Sequence, residues 1–167
     1  MAKVGIIMGS KSDMDIVKEC LNTLDAFGIE YDVIISSAHR TPEKTIEWAK
    51  AAHEKGYSAI AAFAGAAAHL AGVVASKTNV PVIAVPIAAT SLGGLDSLLS
   101  SVQMPGGIPV ATMAIGKAGA KNAALFACQI AARSDSTIFE KLEKYRETMR
   151  DAVIRDDTNL QNILQNK

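Results

Sequence analysis

Short apolar runs alternate along this chain with stretches of helical periodicity. The runs hold almost no polar residues, as the strands of a parallel sheet require when helices cover both of its faces. A helical stretch follows each run, which is the pattern of successive βαβ units with right-handed crossovers. The sequence therefore predicts an α/β fold built as a three-layer, doubly wound parallel sheet. The predicted strands are Val4–Met8, Tyr31–Ile35, Ala59–Phe63, Val82–Val85 and Val110–Ile115.

Between these runs an apolar residue recurs every three or four positions, the period of a helix that packs on a sheet. The first helix is expected to end before Gly28, because glycine commonly follows the last turn of a helix. The helices are predicted from Ile16, Cys20, Leu24 and Phe27, from Ile46, Ala49 and Ala52, and over residues 67–77 and 120–132.

A long charged helix that no strand follows ends the chain, over about residues 134–156. The polar residues after Asp156 are expected to fray. The apolar stripe of this helix must pack on the body or on a neighbouring subunit. The length predicts a single domain over residues 1–167, with its core in residues 3–133. The stripe consists of Ile138, Leu142, Tyr145, Met149 and Ala152.

The charge pattern argues against nucleic acid as a partner. The chain has 17 basic and 17 acidic residues, and no run of Lys or Arg exceeds two residues. Hydrophobic residues make up 49% of the chain but aromatic residues only 5%, so small aliphatic side chains must build the core. This surplus of apolar residues favours contacts between subunits.

The two cysteines and the most apolar segment both have simple structural interpretations. Cys20 and Cys128 lie in apolar helical patterns and lack the spacing of metal ligands, so we expect buried free thiols and no metal site. Residues 59–76 are uncharged, but glycine and histidine interrupt them, which indicates a strand, a turn and a helix and no membrane span. The N-terminus enters a strand without the organisation of a signal peptide, so the protein is expected to be cytoplasmic.

Three loops that follow strands are expected to meet, because the carboxyl ends of parallel strands share one edge of a sheet. The first loop is residues 9–13, with sequence Gly-Ser-Lys-Ser-Asp. Its hydroxyls on Ser10 and Ser12, with the free N–H groups of the following helix, would suit a phosphate. Asp13 could accept hydrogen bonds from sugar hydroxyls. Alternatively, these residues only cap the helix.

The second loop, residues 37–41, places a histidine beside an arginine before a helix that Thr41 would cap and Pro42 would begin. His39 can transfer a proton near neutral pH. Arg40 can hold a phosphate with its planar fork of donors. Alternatively, His39 caps a turn and Arg40 is solvated.

The third loop, residues 65–70, combines glycine and alanine, which let a ligand approach the backbone, with His69. A buried, hydrogen-bonded core histidine is the alternative for His69, and His53 is expected on the surface. The long connection from Pro86 to Pro109 is rich in Gly, Pro and Ser, which indicates a functional or interface loop. Paired carboxylates and a dinucleotide fingerprint are both missing. The residues alone thus predict a site for a phosphate-bearing small molecule that uses an imidazole and no cofactor.

Five motifs in order resemble the PurE family of bacterial purine biosynthesis, in its class I form, 5-(carboxyamino)imidazole ribonucleotide mutase. The resemblance runs from about Val4 to Arg133, with the terminal helix in place. It implies a flavodoxin-like fold, a homo-octamer whose sites draw on adjacent subunits, and no metal or redox cofactor. The motifs are Gly9-Ser10-x-Ser12-Asp13, Ser37-Ala38-His39-Arg40-Thr41-Pro42, Ala67-Ala68-His69-Leu70, the stretch from Asp96 to Pro105, and the stretch from Pro109 to Leu125.

The resemblance also implies a role for each site residue. His39 would be the general acid and base, and the Gly65–Leu70 segment would line the pocket for the base and for carbon dioxide. The residues expected to bind substrate are Ser10, Asp13 and Arg40 at the nucleotide, Ser12 and Ser37 at the phosphate pocket, and Gly65, Ala67, Ala68, His69 and Leu70 around the base. Ala38 is also expected to bind substrate.

The implied reaction moves a carboxyl group from the exocyclic nitrogen of an aminoimidazole ribonucleotide to its ring carbon. Two alternatives stay open, namely the class II carboxylase, which uses free carbon dioxide, and a nucleotide-binding module without activity. Arg40 and the Ala-Ala-His-Leu stretch match class I better. The chain departs from the usual pattern at Phe63 and Ala66, where glycine is common, at Ala71, where proline is common, and at Ser101, where isoleucine is common.

Overall fold

A five-stranded parallel sheet with helices on both faces forms the body of the protein. The computed structural model describes residues 2–165, so Met1 and residues 166–167 of the predicted domain lie outside the described residues. The strand order is β2-β1-β3-β4-β5, which is the flavodoxin-like order. The predicted doubly wound α/β fold is therefore confirmed. The strands are β1 (Lys3–Met8), β2 (Glu30–Ile35), β3 (Tyr57–Gly65), β4 (Val82–Ile87) and β5 (Ala111–Thr112).

Within residues 2–165, six α-helices connect or follow these strands. A short 3₁₀ turn, Lys11–Asp13, precedes the first of them. Gly28 follows α1 with a left-handed φ of 72°, as its position in the sequence predicted. The helices are α1 (Met14–Phe27), α2 (Pro42–Lys50), α3 (Leu70–Ala75), α4 (Leu95–Val102), α5 (Lys117–Ala131) and α6 (Ser136–Gln165).

Alternate residues of the central strands face two separate apolar layers, which explains why the strands are apolar throughout. Ile6 and Phe63 belong to the layer that α1 and α5 cover. Ile7 and Ile60 belong to the opposite layer, with Trp48 and the residues of α3. Residues 59–76 form β3, a turn and α3, as the sequence predicted. Within residues 2–165, no helix is both long and apolar enough to cross a bilayer.

The prediction for the last strand was too long, because β5 is an edge strand. Its regular pairing covers two residues, Ala111 and Thr112, against β4. The chain then continues beside β4 irregularly, with the N–H of Met113 donating to the carbonyl of Ala84 at 2.9 Å. An edge strand has one neighbour, so its pairing can end early, as in β5, or run for six residues, as in β2.

A helix, α4, lies inside the segment that was predicted as one long loop. The many serines of this segment suggested a turn-rich connection, but here they bond to the helix itself. Ser97 Oγ, for example, donates to the carbonyl of Gly94, 2.9 Å away, in the first turn. A serine in a helix can satisfy its hydroxyl within the helix by bonding back to a backbone carbonyl in this way. The segment is therefore part of the scaffold of the sheet edge.

The C-terminal helix extends past the predicted end at Asp156 to Gln165, so the expected fraying of these residues was wrong. Ile138 and Leu142 are buried, and Lys141 Nζ donates to the carbonyl of Phe27 at 2.8 Å. The later turns expose apolar side chains and are helical through local bonds, such as Thr158 Oγ1 to the carbonyl of Ile154. Polar composition alone did not indicate a helix end, because these residues contain no glycine or proline.

Candidate active site

The three loops predicted from the sequence meet at the carboxyl edge of the sheet around a cleft of about 380 Å³. Their convergence follows from the strand order, because β1 lies between β2 and β3. A larger cavity of about 1300 Å³ opens at the other edge, where it borders His53, and no predicted site residue lines it. The cleft is lined by Gly9, Ser10, Ser12, Asp13, Ser37, Ala38, His39, Arg40, Ala64, Gly65, Ala66, Ala67, His69, Leu70 and Ala89.

The first loop is held by its own polar side chains. The N–H of Ser10 donates to Oδ2 of Asp13 at 3.1 Å, and the N–H of Ser12 donates to Oγ of Ser10 at 3.3 Å. This reciprocal arrangement is a capping box. Burial raises the pKa of Asp13, and bonds from Ser12 and Ser10 and the nearby Arg40 charge lower it to a smaller extent. The same side chains thus cap the turn, as the alternative interpretation of this loop expected, and also line the cleft.

Arg40 joins the second loop to the first. Its Nη2 donates to the carbonyl of Gly9 at 3.0 Å, and its Nε donates to Oγ of Ser37 at 3.3 Å. These bonds fix the guanidinium plane across the mouth of the cleft, beside Ser10 and Asp13. Arg40 is exposed, as the alternative of a solvated arginine expected, but these bonds also orient its side chain. An exposed but oriented guanidinium suits a phosphate or carboxylate.

Three hydroxyls hold the second loop in place, and the sequence predicted a role for only one of them, that of Thr41. Thr41 was predicted to cap α2, but its side chain makes no capping bond. It turns back instead and accepts a hydrogen bond from the N–H of Ser37 at 2.9 Å. Buried Ser36 lies between it and Thr45, with Oγ distances of 3.1 Å and 2.8 Å. Ser36 and Thr45 were missed because they lie outside the motif. Pro42 does begin α2, as predicted.

His39 and His69 contact each other across the cleft. Nε2 of His39 lies 3.0 Å from Nδ1 of His69, and the two rings are nearly perpendicular, at 88°. Both side chains are exposed, so His69 is not the core histidine that was the alternative. One nitrogen of the pair must donate and the other accept, so this bond allows the two rings at most one extra proton. Such a pair can give and take back a proton.

The third loop approaches the cleft through its backbone. A Cβ on Gly65 would lie 2.6 Å from the Cβ of Ala89, so only glycine fits against the loop after β4. Ala66 has a φ of 53°, in the left-handed region. Ala68 does not line the cleft, although the sequence predicted a substrate contact, because it is buried with its N–H bonded to Oγ of Ser100 at 2.9 Å.

Comparison with known sequences assigns the chain to a family. The sequence model of the family described as AIR carboxylase matches residues 3–152. The chain belongs to the AIR carboxylase family.

Over residues 2–165, no three His, Cys, Asp or Glu side chains group closely enough to hold a metal ion.

Relatives in the AIR carboxylase family carry a more specific name. The chain is 55% identical over 150 residues to the Pyrococcus abyssi protein named N5-carboxyaminoimidazole ribonucleotide mutase, covering 90% of this chain and 85% of that one. It is 49% identical to the Thermotoga maritima protein of the same name, covering 98% and 94%. The Escherichia coli protein of that name is 48% identical, with coverage of 93% and 92%.

A solved structure agrees with this assignment. The crystal structure of Treponema denticola PurE superposes with a TM-score of 0.85 and is 33% identical, covering 96% of this chain and 99% of that one. The predicted membership of the PurE family is thereby confirmed.

The four departures from the usual pattern of the family mostly lie behind the cleft. Phe63 and Ala71 are buried in the apolar layers, and buried Ser101 donates to the carbonyl of Ser97 at 2.8 Å. Of the four, only Ala66 lines the cleft. The other three departures lie in the apolar layers or in α4, outside the lining of the cleft.

Proposed function

We propose that this protein converts N5-carboxyaminoimidazole ribonucleotide into 4-carboxy-5-aminoimidazole ribonucleotide, an isomerisation in purine biosynthesis. The observation that carries the proposal is the imidazole pair of His39 and His69 beside the oriented guanidinium of Arg40. The relatives at about 50% identity that bear the mutase name support the same reaction.

The first two loops hold the nucleotide. The Arg40 guanidinium, already oriented by Gly9 and Ser37, offers its remaining donors to the phosphate. The hydroxyls of Ser10, Ser12 and Ser37 and the N–H of Ala38 complete the phosphate pocket. The Asp13 carboxylate lines the cleft beside Arg40 and accepts hydrogen bonds from the ribose hydroxyls.

His39 carries the proton in both halves of the reaction. In the first half, protonated His39 gives its proton to the exocyclic nitrogen, the bond between that nitrogen and the carboxyl carbon breaks, and its electron pair returns to nitrogen. This releases carbon dioxide and leaves aminoimidazole ribonucleotide. In the second half, the ring carbon attacks carbon dioxide, and neutral His39 removes the proton that remains on that carbon. One imidazole can do both because the cationic ring is an acid and the neutral ring is a base.

The third loop provides the small apolar wall where carbon dioxide waits between the two halves. Gly65, Ala66 and Ala67 line the cleft next to His69, and Leu70 closes it from the core. A pocket walled by small apolar groups offers water few partners, which keeps the carbon dioxide beside the nucleotide. The hydrogen bond between His69 and His39 orients the His39 ring toward the nucleotide.

A carbon-dioxide-free product assay distinguishes the mutase from the class II carboxylase. Purified protein is given the carbamate nucleotide in buffer stripped of carbon dioxide and bicarbonate, and the C4-carboxylated product is measured. The mutase forms product there. Product only from aminoimidazole ribonucleotide with bicarbonate would show the carboxylase, and no product from either substrate would favour a binding module. The same assay after dialysis against a chelator tests the expectation that no metal or other cofactor is needed.

The assembly and its setting also belong to this proposal. The protein acts as a single domain within a homo-octamer, and light scattering on the purified protein tests this count. Exposed apolar residues on α4 and on the late turns of α6, such as Leu99 and Ile163, support subunit contacts. The protein works in the cytoplasm on a small ribonucleotide, with neither nucleic acid nor membrane as a partner.

A further inference from the structure

A serine outside the cleft reaches the loop that carries His69. Ser100 lies on α4, and its Oγ accepts the hydrogen bond from the N–H of Ala68 at 2.9 Å. The hydroxyl hydrogen points back along the helix, because Oγ lies 2.8 Å from the carbonyl oxygen of Asp96 and 3.2 Å from that of Ser97. The serine therefore presents a lone pair to the third loop and ties that loop to α4.

The backbone N–H of Ala68, which donates to Ser100, cannot donate to water instead. Ala68 is 2% exposed, and a buried backbone donor is nearly always paired in a folded protein. Without the hydroxyl, the loop must move to find another acceptor or solvent. The position of the loop thus depends on a side chain that does not line the cleft.

The loop around Ala68 is strained, so it depends on such external contacts. Ala66 has a left-handed φ of 53°, which an alanine adopts only when its surroundings hold it there. On the other side, the N–H of His69 donates to the carbonyl of Ala67 at 2.9 Å. Ala68 therefore stands between the strained residue and the histidine that meets His39.

We propose that Ser100 is a positioning residue for proton transfer, because it fixes the backbone from which His69 reaches His39. The kinetic consequence rests on the proposed mutase function. Removal of the hydroxyl shifts His69 and weakens the bond between Nδ1 of His69 and Nε2 of His39. The nucleotide contacts of Arg40 and the first loop stay in place, because they belong to other strands. Turnover should therefore fall while substrate affinity is kept.

The next residue of α4 offers a matched control. Ser101 is buried and also bonds back to the helix, from its Oγ to the carbonyl of Ser97. It does not line the cleft, and its hydroxyl bonds to its own helix and not to the third loop. Ser101→Ala therefore repeats the same substitution in the same helix without removing the tie to Ala68.

The kinetic test compares kcat and KM for the carbamate nucleotide. Ser100→Ala should lower kcat about tenfold and leave KM within about twofold, since displacement of a catalytic group costs turnover more than binding. Ser101→Ala should stay within about twofold of wild type in both. Ser100→Cys keeps the volume and the fold with a poor acceptor, so it should change kcat in the same direction if the alanine variant fails to fold.

A spectroscopic test does not depend on the reaction. The chain has three histidines, so NMR of isotope-labelled imidazoles in ligand-free protein resolves His39, His69 and the distant His53. Ser100→Ala should shift the signals of the first two and leave that of His53 unchanged, whereas Ser101→Ala should leave all three. Unchanged signals, or equal losses of kcat in the two alanine variants, would overturn the proposal. A wild type with no mutase activity would instead contradict the proposed function and leave this test valid.

Discussion

Nε2 of His39 and Nδ1 of His69 lie 3.0 Å apart although thirty residues separate them in the chain. The strands before them, β2 and β3, are not neighbours, because β1 lies between them. The two imidazoles therefore meet over the loop that follows β1, which carries Ser10 and Asp13. The two imidazoles thus share one cleft with the loop that, in the proposed reaction, holds the nucleotide.

His39→Asn should lower kcat on the order of 10²-fold or more, because an amide cannot donate and accept a proton as an imidazole does. Nucleotide affinity, measured by calorimetry with the product, should stay within a few fold. The matched control is His53→Asn, since His53 is exposed and lies away from the cleft. A His39→Asn enzyme with wild-type turnover would refute the acid and base role.

His69→Asn should lower kcat about tenfold and should add little to His39→Asn. The two imidazoles act as one unit through their hydrogen bond, and residues that act as a unit are not additive. A double-mutant cycle on kcat measures this coupling. If the double variant were slower than His39→Asn by the full factor of the single His69→Asn change, the two histidines would be independent.

Arg40→Ala should raise KM by about ten- to a hundredfold and change kcat little. In the proposed reaction the guanidinium binds a part of the substrate that does not react, so its loss should weaken the binding of the ground state and of the transition state equally. Arg40→Lys should restore only part of the affinity, because an ammonium lacks the planar fork held by Gly9 and Ser37. Arg155→Ala, on the exposed face of α6, serves as the control. A fall in kcat at unchanged KM would instead place Arg40 at the reacting centre.

The sheet and most site residues could be predicted from the sequence because their signals are local. A buried parallel strand must be apolar along its length, and the loop after it must lie at one edge of the sheet. Both statements hold for β1, where buried Met8 is followed by Ser10. Only the second holds for β2, an edge strand whose last residue, Ile35, is exposed and is followed by the loop of His39. The order of the strands then brings the loops together.

The hydrogen bonds within and between the loops could not be predicted in this way. They depend on which donors and acceptors the folded chain brings together. The sequence placed Ala68 in the substrate pocket, but a hydroxyl of α4 binds its N–H, and that helix was predicted as loop. Similarly, Thr41 matched the pattern of a helix cap, yet Ser36 and Ser37 offered its hydroxyl nearer partners. Neither the long-range bond at Ala68 nor the local bonds at Thr41 leave a periodic signal in the sequence.

Gly65→Ala should destabilise the protein by about 1–3 kcal/mol and lower turnover, because overpacking of a filled site forces its neighbours to move. The new Cβ would meet the Cβ of Ala89 at 2.6 Å and the carbonyl oxygen of Ile87 at 3.1 Å. Urea unfolding measures the loss. Gly106→Ala is the control, since nothing lies within 4 Å of its added Cβ and its φ is not positive. Equal losses in the two variants would contradict the close approach at Gly65.

The two buried cysteines should make the protein less stable as the pH rises above about 9. Burial is the largest cause of a raised pKa for both thiols. The pKa of Cys20 rises to about 12 and that of Cys128 to about 11. The unfolded chain releases these thiol protons near pH 9 while the folded chain keeps them, so the folded state binds more protons and the free energy of unfolding falls with pH.

Urea unfolding between pH 8 and pH 10 measures this slope for wild type and for a Cys20→Ala, Cys128→Ala double variant. The double variant starts less stable, because it lacks two buried sulfur atoms, but its curve should be flatter over this range. In the same range, a disulfide reagent should label neither thiol of the folded protein and both after unfolding, because the thiolate is the reactive form. Rapid labelling at pH 8 with the fold intact would show that the thiols are accessible and would remove the basis of the predicted slope.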